Sequence, residues 1–201
     1  MEKLDRRQAR TKQLLYKALM ELIEEKGSEN VTVTDIANQA DINRGTFYLH
    51  YRDVPDMLEQ IKEEVFSKIV SFMVQLNPND AIQYGNKDEA YPELVGIFEE
   101  IALHADFLKI MLGPKGDLSY AIKFKTTMAA HIFNKLNYSY PPEENSLVPR
   151  DYLIAYISSA NFGMLCHWLE SGMQKSPYEM GLIMTKIVTH GPIGVTSLKS
   201  K

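Results

Sequence analysis

The chain has 201 residues, 45% of them hydrophobic, and a formal net charge of −4, which suits one large domain or two small ones sharing a core. No stretch is apolar enough to span a membrane, and the opening MEKLDRRQAR lacks the apolar centre of a signal peptide, so a cytoplasmic location is expected. The single cysteine, Cys166, excludes an internal disulfide.

Apolar periodicity reads as helix throughout, with no sustained strand pattern, repeat or low-complexity tract. A first helix is expected from Arg7 to Lys26, with Leu14, Leu15, Ala18, Leu19, Leu22 and Ile23 on one face and Gly27 as its stop. Around its start Lys3, Arg6, Arg7, Arg10 and Lys12 outnumber Glu2 and Asp5, a basic footprint on an otherwise acidic chain. The next stretch, VTDIANQADINRGTFYLHY, reads as helix, turn and helix. Thr34 is the expected cap of the short second helix, and Ile36, Ala37 and Ala40 share a face. Asp41 stands where the chain must turn, a position at which Asp tolerates a left-handed backbone. Asn43 is a good N-cap for a third helix over 44–51.

On that third helix Phe47 faces inward, leaving Arg44, Gly45, Thr46, Tyr48 and His50 outside. Such a set suits a duplex. Arg forks onto guanine, Thr and Tyr reach phosphates or a thymine methyl, and Gly lets the backbone come close.

A fourth helix begins at Asp53 and buries Met57, Leu58, Ile61, Val65, Ile69 and Met73; residues 77–90 read as a mobile connection. Pro92 opens a fifth helix, and Phe107, Ile110 and Met111 mark a short sixth that ends at Gly113-Pro114. A seventh covers Asp117 to Leu136, and the prolines of NYSYPPEENSLVP make 137–149 a loop. The eighth runs from Arg150 to Ser171. The ninth runs from Pro177 to His190, with a capping box at Ser176 and Glu179 and a stop at Gly191-Pro192. The fold class is therefore all-α, about nine helices, with an N-terminal three-helix reading head (1–52) and a larger helical domain (53–201).

Thr32, Thr34, Ile36-Ala37, Ala40-Asp41-Ile42-Asn43, Gly45-Thr46-Phe47-Tyr48 and His50-Tyr51 together resemble the DNA-binding domain of the TetR family of transcriptional regulators. Two positions depart from that pattern: Asp41 replaces the usual turn glycine, and Val54 stands where many members carry a phosphate-contacting lysine. The resemblance implies that Thr34 and Tyr51 contact phosphates, that Arg44, Thr46 and Tyr48 enter the major groove, and that Gly45 is a spacer. It also implies a homodimer on a near-palindromic double-stranded operator with half-sites about one helical turn apart.

The family's C-terminal helices enclose a small-molecule effector, and its last two long helices pair with a second subunit. Resemblance thus makes Phe98, His104, Phe107, Met111 and Tyr120 candidates for an effector pocket, with Phe124, Met128, His131, Phe162 and Trp168. Their aromatic and methionine content suits an adaptable apolar site, and equally suits any helical core. The candidate dimer face holds Tyr152, Tyr156, Ala160, Gly163 and His167 on the eighth helix, and Met180, Ile183, Met184 and Ile187 on the ninth.

No catalytic constellation, metal site or cofactor is expected. The chain has no nucleophile elbow, zinc-protease motif or dinucleotide fingerprint. Adjacent Cys166 and His167 point about 100° apart on a helix, a poor chelate. The function expected is that of an operator-binding repressor relieved by a small apolar or amphipathic effector. A ligand-responsive partner protein or activator with weak DNA binding is the alternative.

Overall fold

The computed structural model describes residues 2–113, 116–139 and 147–196, all its regular elements being helical. They are α1 (Glu2–Lys26), a 3-10 turn (Ser28–Asn30), α2 (Val33–Gln39), α3 (Arg44–Tyr48), α4 (Val54–Gln75), α5 (Pro78–Asn86), α6 (Pro92–Leu103), α7 (Ala105–Leu112), α8 (Leu118–Ser139), α9 (Arg150–Glu170) and α10 (Pro177–Gly194).

Contacts gather the chain into two compact units, one of residues 1–65 with 106–121 and one of 66–105 with 122–201. The boundary expected after Arg52 therefore falls inside the first unit. The helix α4 contributes its first half to one unit and its second half to the other.

In the first unit the apolar stripe of α1 is buried, with Leu15, Leu19 and Ile23 fully enclosed, except for Leu14, which is 41% exposed at its edge. Ile36, Phe47 and Met57 are enclosed with them, as are Phe107, Leu108 and Met111 of α7. Lys62 donates to the Asp117 carboxylate at 2.6 Å, and the Asp117 Oδ1 caps α8 by accepting from the Ser119 N–H at 2.8 Å. Burial alone would raise the Asp117 carboxyl, but hydrogen bonds from Lys62 and Ser119 outweigh it and hold it down to about 2.

The second unit is built on the seam between α6 and α10. Gly181 lets the two helices meet: a Cβ there would lie 2.6 Å from Val95 Cγ2 and 3.1 Å from its Cα. Beside that contact Thr185 is fully buried, its hydroxyl donating to the Gly181 carbonyl at 2.7 Å and accepting the Tyr91 N–H at 2.9 Å. Pro92 at the first turn of α6 and the reciprocal bonds between Ser176 and Glu179 at α10 are as the sequence predicts.

Three expectations are corrected. Residues 77–90 are not a bare connection: Asn77 accepts the Asn79 N–H, Pro78 opens α5, and Ala81 and Gly85 are buried. The packing of α5 on α10 supplies what so short a segment lacks alone. The first helix starts at Glu2 rather than Arg7. The break expected at Gly191-Pro192 stands: Gly191 is non-helical, with φ 71°, and a further short helical turn carries the chain to Gly194. Of the loop expected over 137–149, α8 covers the part through Ser139, and residues 140–146 lie outside the described residues.

Candidate nucleic-acid interface and effector cavity

The reading head is set by its caps. Thr32, not Thr34, caps α2: its hydroxyl accepts the Asp35 N–H at 3.2 Å while the Asp35 carboxylate accepts the Thr32 N–H at 2.9 Å. Lys26 donates to the same carboxylate at 2.7 Å, tying the end of α1 to the start of α2. The hydrogen bond from Lys26, followed by those from Thr32, holds the Asp35 carboxyl down to about 2. Lys26 is thus engaged within the protein. Thr34 lies within α2, half-buried.

Asp41 adopts the expected left-handed conformation, with φ 52°. The Asp41 N–H donates to the Asn38 carbonyl and the Ile42 N–H to the Ala37 carbonyl at 3.0 Å, the paired bonds of a Schellman stop. The chain re-enters helix at Asn43, whose side-chain oxygen accepts the Gly45 N–H at 2.8 Å. The third helix is short, Arg44–Tyr48, and turn-like bonds from His50 and Tyr51 to the Phe47 carbonyl carry the backbone on.

Phe47 anchors this segment, fully buried with Tyr48 edge-on at 5.7 Å. Arg44, Gly45 and Tyr48 are exposed together, with Thr46 and His50 half-exposed beside them. A Cβ on Gly45 would meet nothing nearer than the Asn43 side chain at 3.4 Å, so its surroundings in the protein do not demand a glycine. Tyr51 is only 7% exposed and packs on Phe47. Val54 is buried as well. Sequence reasoning overlooked Leu49, whose 81% exposure between Tyr48 and His50 offers an apolar surface suited to a thymine methyl. Its signal was a leucine on the polar side of the reading helix.

In the second unit a cavity of about 550 Å³ is lined by α5, α6, α8, α9 and α10 and by Leu76 and Asn77 between α4 and α5. Its walls include Ala81, Leu94, Ile132, Leu153, Ile157 and Met184, with Asn77, His131, Arg150 and Asn161 supplying polar groups. Of the ten pocket candidates only His131 lines it. Phe98 and Trp168 pack edge-to-face at 5.3 Å, and the Trp168 Nε1–H donates to the Lys175 carbonyl. Phe124 sits against Phe66 and Phe162, Met128 is half-buried, and His104 hydrogen-bonds Glu100 at 3.1 Å. Phe107, Met111 and Tyr120 are buried members of the first unit. A larger, more open groove of about 950 Å³ runs between α8 and α9, with Lys125 and Asp151 on its edges.

The candidate dimer face divides. Tyr152, Tyr156, Ala160, Gly163, His167 and Ile183 are exposed, and Ile187 is half-exposed. Met180 and Met184 turn inward and are buried. Tyr156, Ala160, Met184 and Ile187 also line the cavity.

Residues 15–61 match the family described as bacterial regulatory proteins, tetR family, and residues 88–190 match its transcriptional regulator C-terminal region, more than half of the chain. The chain belongs to the TetR family of transcriptional regulators. This TetR-family chain is 30% identical over 81 residues to YxbF of Bacillus subtilis (strain 168), an uncharacterized HTH-type transcriptional regulator. That match covers 39% of this chain and only 21% of YxbF. Among solved structures, a TetR transcriptional regulator from Streptococcus agalactiae 2603V superposes with a TM-score of 0.58 at 21% identity, covering 90% of this chain and 96% of that one. The dihydroxyacetone kinase operon activator DhaS gives 0.53 at 18%, covering 89% and 93%. At those identities the likeness is one of fold. The family assignment makes the α2–turn–α3 head a DNA-binding helix-turn-helix.

Proposed function

We propose that this regulator is a homodimeric repressor that binds a near-palindromic operator and is released from it by a small apolar or amphipathic effector. The observation that carries the reading is the presence, in one chain, of an exposed reading helix and a partly open, mostly apolar cavity of about 550 Å³. Arg44, Gly45, Thr46 and Tyr48 would read the major groove, with Thr34, Asn43, His50 and Tyr51 at its edges. One head reads only a few base pairs, so specificity needs two copies.

The exposed, apolar face of α9 (Tyr152, Tyr156, Ala160 and Gly163) with Ile183 and Ile187 of α10 would supply the pairing surface. Because α4 belongs to both compact units, it is the natural lever between effector and head. Each tenfold release from DNA requires the effector to favour the released state by about 1.4 kcal/mol. No chemistry is assigned to the protein beyond binding, and no helix among the described residues is long and apolar enough to cross a membrane. We read it as a cytoplasmic protein.

The test is binding of the purified protein to the region upstream of its own gene, at two salt concentrations, with and without compounds that raise its melting temperature. Salt-sensitive binding weakened by such a compound is expected. Binding that no stabilising compound alters would sink the effector reading. A second reading, an activator, has one observation in its favour, the fold it shares with the dihydroxyacetone kinase operon activator DhaS. A fall rather than a rise in target transcription on deleting the gene would select it.

A further inference from the structure

Val54 leaves the start of α4 without a cation, and the structure offers another one nearby. Lys12 is exposed on α1, and its Nζ lies 5.9 Å from the centre of the Tyr51 ring. The Tyr51 ring in turn lies 6.3 Å from the His50 ring, at the exit of the reading helix. Three cations of this head have acidic partners, Lys17 with Glu21, Lys26 with Asp35 and Arg52 with Asp56. Lys12 has no carboxylate within ion-pair distance among the described residues; it lies over the Tyr51 ring, which neighbours His50.

We propose that Lys12, although it lies on α1, is a phosphate contact of the reading head, acting with His50 on one DNA phosphate in place of the lysine that Val54 does not supply. The assignment rests on DNA binding by this head. The geometry has a consequence for protons. Two positive charges placed beside the same Tyr51 ring repel each other. Burial first, and then the Lys12 ammonium, push His50 below the usual histidine range in the free protein. A phosphate oxygen between the two side chains reverses the balance, because an anion favours the imidazolium. Arg52 follows on the same segment, and Asp56 and Glu64 of α4 act on the intervening Tyr51. Neither carboxylate forms an ion pair with Lys12 or His50 among the described residues, so a phosphate there would be the counter-charge in direct contact with the pair. DNA binding should therefore take up a proton at His50, and affinity should rise as pH falls.

The test uses the full chain, a mixed-sequence duplex and a duplex from upstream of its own gene, each of about 30 base pairs, long enough for two half-sites. Lys12→Gln should lower the slope of log affinity against log salt by about 0.9 per head, on both duplexes alike, and Lys12→Arg should restore it. Wild-type affinity should rise by up to about tenfold per proton per pH unit between about pH 8 and pH 6, and His50→Gln should flatten that rise. In the free protein, Lys12→Gln should move the His50 titration, followed by NMR, up towards the ordinary 6.5. Wild-type binding with an unchanged salt slope in Lys12→Gln, or with no pH dependence, overturns this assignment and leaves the DNA-binding head standing. A wild type that shows no salt-dependent binding to either duplex overturns both.

Discussion

Replacing Thr185 with valine should destabilise the protein, although valine has the same shape and is more apolar. Thr185 is fully buried, and its hydroxyl accepts the Tyr91 N–H at 2.9 Å, so removing it leaves that N–H in a site where Tyr91 is only 3% exposed. The Gly181 carbonyl keeps a partner in the helix ladder, so the loss falls on one orphaned donor, at a cost of about 1–3 kcal/mol. Thr185→Ser keeps the hydroxyl and loses one buried methyl, roughly 0.5–1.5 kcal/mol by analogy with Ile→Val. Thermal unfolding should place the serine variant above the valine variant, with a drop of about 2–4 °C for each kcal/mol lost at this chain length. Urea titration of the three proteins checks the order independently of temperature. The reasoning is refuted if valine equals or exceeds serine, since Tyr91 would then have found another acceptor. Because Tyr91 also lines the cavity, the valine variant should loosen the binding of any stabilising compound.

Three further outcomes follow from named contacts. Gly45→Ala meets only the Asn43 side chain at 3.4 Å, so melting should be unchanged or slightly raised while operator affinity in anisotropy falls; equal affinity would remove the spacer role. Asp117, held down to about 2 against an ordinary 3.8, binds fewer protons folded than unfolded in that window. Its stabilising contribution is therefore complete above about pH 4 and lost as pH falls towards 2, and Asp117→Asn should flatten that part of an acid titration. A Cβ at Gly163 meets nothing within 4 Å, so Gly163→Leu should leave the fold intact and shift sedimentation towards monomer; an unshifted dimer would move the pairing surface elsewhere.

Local signals were read well where local chemistry decides. The Asn43 cap, the left-handed Asp41, the Ser176–Glu179 box and the inward Phe47 each depend on a few neighbouring residues. The cap of α2 shows where that stops. Thr32 and Thr34 are both able to cap, and Asp35, three residues beyond Thr32 and within reach of Lys26 on α1, marks the one that does.

The position of Lys12 is likewise set by packing. Its place in the sequence made it one of several basic residues near the N-terminus, and only the packing of α1 brought it beside Tyr51. The short α5 escaped notice because its stabilising partner, α10, lies about a hundred residues away along the chain.

What the sequence by itself determined was the helical class, the reading head and the family, because periodicity, caps and a motif at fixed spacing are short-range properties. What only the tertiary structure decided was the cavity. The candidate aromatic residues largely pack on one another, Phe98 with Trp168 and Phe124 with Phe162, and their rings close the core rather than line a space. A cavity remains where large side chains do not reach, so its walls are set by how five helices pack and not by the composition of any one of them.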